Sequence, residues 1–234
     1  MSSTKLESPA AVEDLYTSRG EEVEPYRPTF TGDVYEIQDS SGSRIVMVLQ
    51  HPCALRTDGV HLASKILVAP VRPATSAPRS KMADESFKIY PLSQLTGPDE
   101  HFVADFAQVE SLDSADLLAG TRIAILSQEG VNLLLQRWVF HNSRVTVSTE
   151  SFNTSSDAEF TEADLAADWI EERSDAGDTI ADAEVSFHDW IRAPWKANET
   201  PQQSRQVLLR DQQKQSAVRK AMREHLKAQL SPAA

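Results

Sequence analysis

Between about residues 31 and 126 the chain alternates short apolar runs with polar turn material, the pattern of a small, curled β-domain. Val34, Tyr35 and Ile37 open a first strand, DSSGS supplies the small polar residues of a tight turn, and residues 44–50 form a second strand, so the pair reads as a hairpin. His51 and Pro52 close it, because proline cannot donate to a strand ladder. The loop LRTDGVHLAS leads to a third strand at 65–71. Further strands are expected at 87–92 and 102–112, with a short one at 122–126. Between the third and fourth lies VRPATSAPRSKMADES, without apolar period, which reads as a long surface loop of the kind that often carries function.

Helical spacing takes over next. Ser127 is a plausible N-cap, and Val131, Leu134, Leu135, Trp138 and Val139 recur on one helix face, expected to pack on the sheet. STESFNTSSDAEF then reads as a linker. TEAD at 161–164 resembles a capping box ahead of Leu165, Trp169 and Ile170, and Asp178 can cap a second helix carrying Ile180, Val185, Phe187, Trp190 and Ile191. From about 202 to 230 a thin stripe of Val207, Leu208, Val218, Met222, Leu226 and Leu230 describes a helix that docks on a partner or on its own copy. The expected layout is a flexible tail at 1–29, a β-barrel domain at 30–147, a linker at 148–160 and a helical region at 161–234. The fold class is mixed β and α.

Charge sharpens this division. The net charge is −12, distributed as −7 over residues 1–150, −10 over 151–200 and +5 over 201–234. RNA is repelled by such a molecule as a whole, so any nucleic-acid contact has to rest on a local basic patch. Two candidates exist, the basic C-terminal segment and the group Arg56, Lys65, Arg72, Arg79 and Lys81. Apolar runs such as IVMVL are far shorter than the roughly 20 residues of a spanning helix. The N-terminus has no apolar core after its lysine, so no signal peptide is expected and a cytoplasmic location follows. A single cysteine, Cys53, excludes an internal disulfide and reads as a small buried thiol.

The phrases GDVYEI, SRIVMVLQ, KILVAPV and ADFAQVESLD, followed by the helix from Gln128, stand in the order of the MazF/PemK family of toxin endoribonucleases, and residues 30–144 resemble that family. The resemblance implies an SH3-like barrel with a closing helix, a homodimer, and an antitoxin or other regulatory protein as partner. It implies cleavage of single-stranded RNA without a metal or other cofactor. An arginine at the start of the second strand and a Thr or Ser at the end of the third are the site positions it carries over. Arg44 matches the first. At the second, Arg72 stands where the hydroxyl is expected, with Thr75 and Ser76 just beyond. Ile45 replaces the proline that usually follows the strand-two arginine. In such a reaction the RNA 2′-hydroxyl attacks the neighbouring phosphate, and a guanidinium steadies the charge that builds on its oxygens.

Other chemistry is thinly represented. His51, His61, His101 and His141 include possible general bases, yet none is paired at metal-ligand spacing, and neither a nucleophile elbow nor a glycine-rich phosphate loop occurs. Two functions therefore compete: a toxin-type endoribonuclease or a derivative of one, and a catalytically inactive SH3-like barrel that binds protein or nucleic acid.

Overall fold

The computed structural model describes residues 5–40, 42–56, 60–74, 87–196 and 203–230. The chain divides into two compact units, one of residues 1–24 and 29–155, the other of 25–28 and 156–234. The first is built on an antiparallel sheet curled into a half-barrel. Its strands are β1 (Tyr16–Arg19), β2 (Val34–Asp39), β3 (Gly42–Val48), β4 (Lys65–Pro73), β5 (Ile89–Ser93), β6 (His101–Asp105), β7 (Glu110–Asp113) and β8 (Thr121–Leu126). They lie in the order β1-β8-β2-β3-β4-β6-β5, with β7 also paired to β4.

The expected hairpin is present, with Ile37 opposite Arg44 and Asp39 opposite Gly42. The run expected as one strand over 102–112 is instead two. The Asp105 carboxylate accepts a hydrogen bond from the Ala107 backbone N–H at 3.0 Å and caps a 3-10 turn at Phe106–Gln108. The chain thereby bends, and β6 and β7 share β4 as a neighbour, with Ala104 opposite Val71 and Glu110 opposite Val68.

Both faces of the sheet are buried. Side chains alternate along a strand, so Tyr35, Ile37, Val46, Val48, Ile66 and Val68 share the inner face. Leu55 from helix α1 (Pro52–Leu55) and Leu117 from α2 (Ser114–Leu118) complete that cluster. Val34, Met47, Ala69, Ala104 and Ala124 occupy the opposite face and are likewise buried. On that face the Tyr90 hydroxyl donates to the Gly130 carbonyl of α3 (Gln128–Ser143) at 2.9 Å. The Ser127 cap forms as expected, its hydroxyl accepting from Gly130 N at 3.0 Å. Gly130 is required by packing, since a Cβ there would lie 2.4 Å from the Leu15 carbonyl oxygen.

The N-terminal segment is not a loose tail. Tyr16–Arg19 pairs with β8, and Ser127 N donates to Leu15 O at 2.9 Å. Upstream, Glu7 N donates to the Gln136 side chain at 2.7 Å, and Gln136 Nε2 returns a bond to Glu7 Oε1 at 3.0 Å. The same carboxylate accepts from Thr149 N at 3.0 Å and from the Thr149 hydroxyl, capping helix α4 (Thr149–Asp175). The stretch read as a linker is accordingly helical. Its Ser, Thr and Asn residues are weak helix formers, but the Glu7 cap and the burial of Ser156 outweigh local preference. TEAD lies inside this helix and caps nothing.

The second unit is helical. α5 (Ile180–Arg192) is capped by Thr179, whose hydroxyl accepts from Asp182 N at 3.1 Å, not by Asp178. The expected last helix is divided into α6 (Arg205–Leu208) and α7 (Gln212–Leu230). Much of its stripe is used within the unit: Val218, Met222 and Leu226 are buried with Leu165, Trp169, Ile170, Phe187, Trp190 and Ile191 in the unit's own core, while Val207 stays exposed. Tyr26 also packs on this core, and Arg27 pairs with Asp164 at 3.2 Å while lying 4.6 Å from the centre of the Phe160 ring.

Two predictions follow from these contacts. Gly130→Ala will lower unfolding stability by about 1–3 kcal/mol in urea titrations, the usual cost of overpacking. Glu7→Gln will cost about 1 kcal/mol at pH 7. Burial pushes the Glu7 carboxyl up, but the hydrogen bonds from Thr149 and Gln136 outweigh it and hold it below the ordinary 4.5. Its contribution is complete above that pH and fades as pH falls through the folded value, so the gap between wild type and Glu7→Gln will close in titrations taken into that acid range.

Candidate functional site

Arg44 sits on β3 beside Ile37, so its side chain leaves the inner face of the curl. It is not directed into open solvent. Its side chain is 29% exposed, its Nε lies 2.6 Å from Asp39 Oδ2, and its terminal nitrogen donates to Glu110. The Glu110 hydrogen bond raises the guanidinium's affinity for its proton, burial opposes that effect, and Asp39 adds to it. Val46 faces Pro70 across β3 and β4, and Arg44 and Arg72, each two residues along its strand from that pair, share its face. Arg72 in turn approaches Asp105 Oδ2 with its Nε at 3.3 Å and is 56% exposed at the side chain. The hairpin and the β3–β4 pairing thus bring together two of the expected residues, and the β6–β7 bend delivers their carboxylate partners.

Among the described residues, Lys65 and Arg56 do not join them. Lys65 is at the opposite end of β4, paired with Asp113 at 2.8 Å. Arg56 donates to the Thr29 carbonyl at 3.2 Å. Thr75, Ser76, Arg79 and Lys81 lie outside the described residues. His51 accepts from Cys53 N at 3.3 Å at the start of α1, and Cys53 is exposed, contrary to the expected buried thiol. The expected buried position is taken by Leu55 two residues on, the α1 residue that packs in the inner core. His141 stacks on Trp138 with ring centres 5.6 Å apart, and its Nδ1 lies 2.8 Å from the Phe87 carbonyl, a structural role.

A second polar group was not anticipated. Asp33, 1% exposed, accepts from Arg122 at 3.0 Å and from Phe30 N at 3.0 Å, and Arg122 also donates to the Glu24 carbonyl at 3.1 Å. The Tyr35 hydroxyl beside them meets Thr29 Oγ1 at 2.8 Å, and burial, with Asp33 adding to it, pushes the phenol up to about 12. Asp33 is the acid of the GDV phrase. Its partner is 89 residues away, which no local pattern discloses.

Neither a protein-family model nor a curated protein matches the sequence. Among the described residues no helix is long and apolar enough to cross a membrane, and no cluster of three His, Cys, Asp or Glu side chains is placed to hold a metal ion.

Removing one member of a buried ion pair strands the other, at about 3–5 kcal/mol. Asp33→Ala will therefore shift the urea midpoint far more than Lys65→Ala, whose pair is more than half exposed and worth at most about 1 kcal/mol.

Proposed function

We propose that residues 30–144 form an SH3-like barrel of MazF/PemK type, closed by α3, that cleaves single-stranded RNA without a metal, or derives from a protein that did. The observation that carries this reading is that Arg44 and Arg72 share one face of the sheet, with Glu110 against the Arg44 guanidinium. Such a group contains what the reaction needs at its first step. Glu110 takes the proton of the 2′-hydroxyl, the 2′-oxygen forms a bond to phosphorus, and Arg44 and Arg72 stabilise the phosphate oxygens as negative charge builds. The bond from phosphorus to the 5′-oxygen then breaks, leaving a 2′,3′-cyclic phosphate; the departing oxygen takes a proton from water, and the hydroxide so formed takes back the proton held by Glu110.

A second reading rests on the charge balance of the same strands. Arg44 and Arg72 are met by three carboxylates, Asp39, Glu110 and Asp105. A face with more acid than base is poorly suited to a polyanion, and this favours a catalytically inactive barrel that binds protein.

The two readings predict opposite behaviour for one substitution. For a nuclease, the full-length chain incubated with labelled single-stranded RNA in EDTA yields 2′,3′-cyclic ends, and Glu110→Gln and Arg44→Ala each slow cleavage by about 10²–10⁴-fold. For a binding module the RNA stays intact, and Glu110→Gln raises its affinity for the oligonucleotide at low salt by removing a negative charge. Cleavage that is indifferent to Arg44 overturns the proposed site.

A further inference from the structure

In the helical unit α4 and α7 run parallel, because their contacts advance together: Asp168 pairs with Arg219 at 2.9 Å, and further along Arg173 donates to Gln229 at 2.9 Å. Beside this seam lies an open groove of about 590 Å³. One wall, from α4, carries Glu171 and Glu172. The other, from α7, carries Arg223 and Lys227, with Leu226 and Leu230 toward the floor. All four charged residues are exposed.

We propose that this groove is the contact by which two copies of the chain associate. A polyanion entering it would meet the glutamates, and a polycation would meet Arg223 and Lys227. The occupant that gains at both walls carries a basic row and an acidic row side by side, at the same spacing. The groove itself has that arrangement. A two-fold axis running along the groove, parallel to the helices, sets the α4 wall of one copy against the α7 wall of the other, and the same operation repeats the contact on the second side. Two rows of opposite charge are self-complementary under that rotation. The apolar strip between them is narrow, since Leu226 is only 4% exposed in the single chain, so the association is chiefly electrostatic and salt-sensitive. The contact lies wholly within the helical unit and is independent of the sheet site.

The test is sedimentation equilibrium of the full-length chain across concentration and salt. The wild type is expected to dimerise at low salt and to dissociate as ionic strength rises. Glu171→Lys with Glu172→Lys makes both walls basic, Arg223→Glu with Lys227→Glu makes both acidic, and each double variant is expected to dimerise at least about a hundred-fold more weakly. An equimolar mixture of the two is expected to recover dimers, because the basic groove now complements the acidic one. A wild type that stays monomeric at low salt, a dimer that persists in both double variants, or a mixture that remains monomeric overturns the proposal. Should either reversal disturb folding, seen as a loss of helical circular dichroism, Glu172→Gln and Lys227→Gln provide the same comparison and must each reduce the salt dependence of dimerisation.

Discussion

Burial of both faces of one curled sheet is the constraint on which the first unit depends. The inner face is filled by its own side chains with Leu55 and Leu117, but the outer face needs a separate cover. Helix α3 is buried without interruption from Gly130 to Arg137, including the polar Asn132, Gln136 and Arg137. A polar group taken out of water has to find a partner, and Gln136 and Arg137 find theirs in Glu7 and its backbone. The N-terminal segment is thus ordered by a demand that arises at the sheet. Its carboxylate in turn supplies the cap of α4.

This dependence explains what could be read from the sequence. The β2–β3 hairpin, β4 and α3 were legible because alternation, turn residues and the Ser127 cap act within a few positions of one another. Residues 5–24 were not, because they are held by main-chain pairing with β8 and by Glu7, and a lone buried Leu15 makes no period. The STESFNTSSDAEF stretch was misread because composition reports local preference, whereas its helix is stabilised from elsewhere. At the site the sequence pointed to Arg44 and Arg72 as positions. It did not disclose Glu110 as a partner, 66 residues from Arg44, since that contact exists only once the sheet has curled.

The uneven charge along the chain also acquires a structural meaning. The acid of residues 151–200 and the base of 201–234 lie on helices that pack side by side, with Asp168 against Arg219. Segregation in sequence becomes complementarity in the fold, and the basic C-terminal segment is partly occupied within its own unit. On the sheet the same economy holds, where arginines are flanked by carboxylates that set both their orientation and their availability to an incoming anion.

Residues 25–28 leave one unit for the other and return, with Glu24 accepting from Arg122 on one side and Thr29 from Arg56 on the other. Together with the passage at Ser155–Ser156, the backbone therefore crosses between the units three times. Such threading means that neither unit is a contiguous length of chain. A single cut near residue 155 would leave the helical core lacking Tyr26 and Arg27, and a gene fragment starting at residue 156 would encode it without them. PYRP and residues 156–234 thus make one folding unit, and any shortened chain that is to keep the helical core whole has to keep both.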